Sequence, residues 1–169
     1  MAWTTIPDFT DEQVISATIM NQLADNIEFL ANTTQDDSEV TTEQTTTSAT
    51  FVSIGASFEK TISMTGGNLL VLLTGMVRVT GAGTEIGYFD IELDAARLGH
   101  TTEGLMVVQR ETNAGTVTST PNYVIVFGRI ITGLSVASHA IKIMWKVDSG
   151  GTLRLGYSST ATRLYVKEI

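Results

Sequence analysis

Asp90 and Glu92, two residues apart in YFDIEL, are the first groups in this sequence that invite an acid–base reading. Along a strand, positions i and i+2 project from the same side. A glycoside-cleaving pair needs its carboxylates at a set separation across a cleft, normally from different elements. Neighbours on one strand face are therefore expected to be a solvated face. Asp90, Glu92 and Asp94 also suggest calcium, but the ligand spacing of a calcium loop is missing. His100 and His139 are the only histidines, and there is no cysteine. A zinc site of three or four ligands has no standard spacing here, so both histidines are expected at the surface or an interface. Gly81-Ala82-Gly83 resembles the start of a dinucleotide loop, yet Ile86 stands where the third glycine belongs and a strand follows. A hairpin turn is the expected outcome. No G-x-S-x-G elbow occurs, and thiolate chemistry is excluded. The expectation is a protein that is not an enzyme and uses no cofactor and no metal.

The elements around these residues read as strands. TFVSI, FEKTISM, NLLVLLTGMVRVT, EIGYFDIEL, GLMVVQRE, NYVIVFGRII, HAIKIMWKV, TLRLGYS and TRLYVKEI follow one another after Thr50, separated by Gly, Ser, Asn and Asp. Phe89, Ile91 and Leu93 alternate with Tyr88, Asp90 and Glu92. Ile141, Ile143, Trp145 and Val147 alternate with Lys142 and Lys146. Period two with one wet face marks antiparallel sheet, and Trp145 is expected in the core. YVIVFGRII is apolar on both faces and should be covered twice, by a second sheet and by another subunit. The fold class expected is all-β: an antiparallel two-sheet jelly-roll sandwich, preceded by a short N-terminal helix and an extended arm.

Charge divides the chain. Residues 1–49 hold nine acids and no base, whereas 50–169 hold nine acids and ten bases, so the first segment carries −9, the second +1, and the chain −8. Clustered bases are lacking, so nucleic acid is not an expected partner. The first residues show no basic, apolar leader pattern, and the longest apolar run is too short to cross a bilayer, so no membrane insertion is expected. Met20, Leu23, Ile27 and Leu30 fall on one helical stripe after a Ser16 cap. Trp3, Ile6 and Phe9 precede it in an extended arm. Residues 32–49, rich in Thr and acid with Val40 as the one aliphatic, read as a tether, its later part open to forming a solvent-facing edge strand. Three parts are expected: 1–31 as anchor and oligomerisation element, 32–49 as tether, and 50–169 as sandwich.

The segment AWTTIPDFTDEQVISATIMNQLADNIEFL resembles the opening of many bacteriophage virion proteins, through Trp3, Pro7, Val14, Ala17, Met20, Asn21, Asn26 and Leu30. The C-terminal part is similar to trimeric jelly rolls of the C1q/TNF type, through His139, Trp145, Gly150-Gly151-Thr152, Leu164, Val166 and Glu168. Ser138 departs from that pattern, where glycine usually precedes the histidine. The resemblance implies a homotrimer on the virion surface, assembled in the host cytoplasm and contacting other virion proteins of capsid or tail. It would be anchored by Trp3, Ile6, Phe9, Met20, Leu23, Ile27 and Leu30. A capsid decoration protein or head fibre is the first expectation. A short tail fibre that adheres to host-surface glycan or protein is the alternative.

Overall fold

The structure, a computed structural model, describes residues 20–23, 34–81, 83–109, 122–148, 150–156 and 160–169. Each of the nine apolar runs after Thr50 forms a strand. They are β3 (Val52–Ser53), β4 (Glu59–Ser63), β5 (Gly67–Thr80), β6 (Ile86–Leu93), β8 (Met106–Gln109), β9 (Tyr123–Leu134), β10 (Ser138–Val147), β11 (Thr152–Leu155) and β12 (Thr162–Glu168). Three further strands carry too little apolar pattern to be expected outright: β1 (Gln35–Val40), β2 (Gln44–Thr46) and β7 (Ala96–Arg97).

All pairings are antiparallel and they nest. Within the described residues β6 pairs with β8, β5 with β9, β4 with β10 and β1 with β12. Such nesting is a long hairpin rolled on itself, the jelly-roll arrangement. Rolling adds cross-pairs, β10 with β6 and β5 with both β12 and β11. Among the described residues two six-stranded sheets result. The first holds β1, β2, β5, β9, β11 and β12, and the second β3, β4, β6, β7, β8 and β10. Period two then sends one row of each strand between the sheets. Leu69, Val71, Leu73, Leu164 and Val166 of the first meet Phe89, Ile91, Ile141, Ile143 and Trp145 of the second, all buried. The Phe89 ring lies 6.2 Å from Phe127 and 6.3 Å from Trp145, centre to centre. Each such side chain contributes about 1.5–3 kcal/mol by leaving water.

The expected tether is built into the sandwich over the residues described. β1 runs against the whole of β12, from Gln35 opposite Lys167 to Val40 opposite Thr162, and β2 runs against β11. Val40 packs on the core. The acids of this stretch find their bases within the chain. Asp36 pairs with Lys60 at 2.9 Å, Glu39 with Arg163, and Glu43 with Arg154. Exposed pairs of this kind add little stability each, up to about 1 kcal/mol, but opposite charges favour this register over a slipped one. The complementary surface for part of the acidic segment is therefore the sandwich itself. Glutamine, aspartate and threonine form strands here because a neighbouring ladder is available on one side and solvent on the other.

Candidate interaction surface

β5 bonds to β12 and β11 along one edge and to β9 along the other. Among the described residues no strand pairs with the far side of β9. Its inward row, Ile125, Phe127 and Ile131, is buried. Its outward row is apolar as well: Val124 is 79% exposed, Val126 71% and Ile130 53%. Two-sided apolarity was expected to need two covers, and the second sheet supplies only the inner one. Register extends the outer patch onto β5, where Met76 lies opposite Val124, Leu72 opposite Gly128 and Leu70 opposite Ile130. Gly128 has no side chain, so Leu72 beside it stays partly open. Val136, between β9 and β10, is 77% exposed.

The other margin of this face is polar. Arg163, Tyr165 and Lys167 of β12 stand beside Glu39, Asp37 and Gln35 of β1. Two depressions interrupt the face. One, of about 320 Å³, lies among Thr74, Met76, Val124, Val126 and Ala161. The other, of about 250 Å³, lies among Asp37, Leu72, Thr74, Arg163 and Tyr165. The face thus carries protruding aliphatic side chains and hollows that aliphatic side chains would fill. A long, unpaired, apolar edge is a site for association with another chain.

The segment leading into the sandwich joins at one end. The Thr34 carbonyl accepts from Glu168 N at 2.9 Å, and its hydroxyl donates to Ser63 O at 3.0 Å. Of the seven expected anchoring residues, Met20 and Leu23 are described. They lie on a helical turn, residues 20–23, and both are exposed. Trp3, Ile6, Phe9, Ile27 and Leu30 lie outside the described residues.

The residues singled out for chemistry behave differently from expectation. Asp90 is not on a solvated face: it is 0% exposed. Residues 97–105 run along the edge of β6, with Leu98 N bonding Ile91 O and Leu105 N bonding Phe89 O, and Gly99 and Gly104 close over the Asp90 side chain. Gly104, at φ +69°, allows this close approach, since a Cβ there would meet Phe89 O at 2.5 Å. The Asp90 carboxylate accepts from Ile91 N at 2.8 Å, Gly99 N at 2.9 Å and Arg97 Nη1 at 3.1 Å. Burial pushes its pKa up, opposed by these bonds and the Arg97 charge. Glu92 pairs instead with Lys142 at 3.3 Å. Asp90 and Glu92 hold separate cations and share no cleft.

His139 is buried rather than at the surface. Its Nδ1 bonds Asp94 Oδ2 at 2.7 Å and its Nε2 lies 3.2 Å from Ser135 O. The Asp94 carboxylate raises the His139 pKa, and the same bond lowers that of Asp94. Asp94 and Ala95 form a two-residue hairpin turn at φ 47° and 66°, and Asp94 Oδ1 accepts from Ala140 N at 2.8 Å. The clamp thus holds a left-handed turn that would suit glycine better. His100 is exposed, with Nδ1 3.0 Å from Thr102 Oγ1. Trp145 is in the core, as its alternation implied. Among the described residues no three His, Asp or Glu side chains converge as metal ligands, and no helix is long and apolar enough to cross a membrane.

Comparison with protein-family models yields no match, and comparison with curated proteins yields none either. Similar solved structures include dimeric latent PorU from Porphyromonas gingivalis, at 8% identity and TM-score 0.36 over 79% of this chain. They also include the VP2 protein of infectious bursal disease virus. A mutant VP2 in derived T=1 particles gives 13% identity and TM-score 0.37 over 81% of this chain. The Gx strain of that virus gives 11% identity and TM-score 0.37 over 81%. This chain spans 13%, 36% and 37% of those three chains respectively. At TM-scores below 0.5 these likenesses carry nothing about function.

Proposed function

We propose that this chain is a structural protein of a bacteriophage particle, a homotrimer whose N-terminal arms fix it to the virion and whose sandwiches project outward. A capsid decoration protein or head fibre is the reading preferred. The observation that carries it is the exposed row Val124, Val126 and Ile130 on an unpaired edge, continuous with Leu70, Leu72 and Met76. A second copy of this chain is the occupant that the face itself supports. Apolar side chains gather at the β9 margin, one hollow opens among them and the other lies further across beside Asp37 and Arg163, so one copy's edge fits another's face. Head-to-tail contacts of that kind close into a ring when the rotation between copies is that of a cyclic trimer, and run on into filaments otherwise. Each buried Val or Ile adds about 1.5–3 kcal/mol. The virion setting rests on the resemblance of the segment from Ala2 to Leu30, and because Thr34 joins at one end of each sandwich, three arms leave a ring on the same side.

Light scattering of the purified chain should give about three times 18.2 kDa, and Val126→Asp should shift the population towards monomer. A clean wild-type monomer overturns the assembly. Gold-labelled antibody raised against residues 50–169 should decorate intact phage particles, and a protein found wholly outside the particles overturns the virion role. The alternative, a short tail fibre that touches the host, gains from a depression at the end of the sandwich away from Thr34.

A further inference from the structure

Phe51, Arg97 and Lys146 meet on the outer side of the second sheet. The Arg97 guanidinium carbon lies 4.1 Å from the centre of the Phe51 ring. The Lys146 Nζ lies 5.2 Å from that ring and 4.4 Å from the Tyr88 ring. Arg97 is fixed from behind, since Nη1 donates to buried Asp90 and Nη2 to Thr101 O at 2.7 Å. Around these groups opens a depression of about 370 Å³, completed by Thr50, Thr101 and Thr102. Small-ligand pockets begin at about 300 Å³.

We propose that this depression binds a carboxylate-bearing sugar residue, such as a uronate within a surface polysaccharide. The lining holds two cations and no acid. Arg97 already has Asp90 as counter-ion, whereas among the described residues no carboxylate is recorded in an ion pair with Lys146. Lys146 is thus the lining cation outside an ion pair, and the carboxylates of Asp148 and Glu103 beside Tyr88 offset part of its charge. Asp148, 3.5 Å from the Tyr88 hydroxyl, and Glu103 lie on the Tyr88 side and would repel a densely charged polyanion. That favours a single carboxylate over clustered phosphate or sulfate. Threonine hydroxyls suit the ring hydroxyls of a sugar, and the Phe51 ring and Ala49 suit its C–H surface. The position fits as well. Thr34 joins the sandwich beside Ser63 and Glu168, but the depression lies near Lys146, next to the Val147 N to Ser48 O bond at the other end of β10. It lies at the end of β10 far from Thr34. The inference needs no particular site on a virion, and it holds or fails separately from the trimer.

The test titrates the full chain, by calorimetry and saturation-transfer NMR, with three probes: a glucuronate-containing tetrasaccharide, the same tetrasaccharide with its carboxyls reduced to alcohols, and a pentaglutamate peptide. Saturable binding of the acidic sugar is expected. It should weaken about tenfold on carboxyl reduction and about tenfold in Lys146→Gln, the value of one charge-assisted bond. Lys167→Gln, on the first sheet, should change nothing. Equal binding of the reduced sugar, wild-type affinity in Lys146→Gln, or no saturable binding overturns the proposal. A peptide that binds as tightly as the sugar overturns the saccharide assignment. Should Lys146→Gln fail to fold, exposed Thr102→Ala together with the reduced sugar decides.

Discussion

The two outer faces of the sandwich are set by the same alternation, yet one is open and the other partly roofed. On the first sheet, Val124, Val126 and Ile130 point outward and stand in solvent. On the second, Asp90 also points outward, yet it is sealed from water by residues 97–105. An apolar row is left wet and a carboxylate is left dry. Outward phase along a strand therefore does not decide exposure. What lies over the strand decides it. The dry carboxylate serves folding, because it gathers two amides and an arginine to pin the roof. Among the described residues nothing covers the wet aliphatic row, and that is why association is the reading it supports.

If covering is what distinguishes the faces, removing covers should have graded effects. The largest should come from the polar margin of the first sheet. A chain starting at residue 34 should melt cooperatively, close to the full chain. A chain starting at residue 50 loses β1 and β2, baring the edges of β12 and β11 and the core contact of Val40. It should be unfolded or aggregated by circular dichroism. A cooperative melt of 50–169 near the full-length midpoint would restore residues 32–49 as a mere tether.

Next comes the roof over Asp90. Asp90→Ala leaves the Ile91 and Gly99 amides without their acceptor, and each such loss costs about 1–3 kcal/mol. A total near 3 kcal/mol would lower Tm by roughly 6–12 °C for a chain of this size. It should also raise hydrogen exchange in residues 97–105 before the rest of the sandwich. A Tm within a degree or two of wild type would mean that the roof holds without its carboxylate.

The smallest effect should be pH-dependent, at the His139–Asp94 clamp. The folded His139 pKa lies above its ordinary value. Its contribution is therefore complete below about 6.5 and is lost as pH rises through the higher folded value. The folded Asp94 pKa lies below its ordinary value. Its contribution is complete above about 3.9 and is lost as pH falls through the lower folded value. Wild-type Tm should thus decline from pH 6 towards pH 8, and His139→Asn should flatten that decline. Parallel Tm profiles for the two proteins would show that the clamp carries no linked proton.

Much of the fold was legible because period two is a local property. Phe89 and Ile91, or Ile143 and Trp145, declare a buried face from spacing alone, and the nine apolar runs after Thr50 all became strands. The two-faced apolarity of YVIVFGRII was equally plain. β1 and β2 were harder, since QDDSEV and QTT have no apolar row and are strands only because β12 and β11 offer ladders. The cluster of Phe51, Arg97 and Lys146 left no trace in the sequence, because residues so far apart meet only once β3, β7 and β10 are placed in one sheet.

By itself, then, the sequence determined the strands, the inward row of each and the apolar outer row of β9, since alternation is written residue by residue. It also determined that the acids come first and the bases later. Only the tertiary structure decided that Asp36, Glu39 and Glu43 would meet Lys60, Arg163 and Arg154, that β9 would be an edge among the described strands, and that Asp90 would be roofed. Pairing partners and covering segments are long-range choices, settled by how the rolled hairpin buries its apolar rows together.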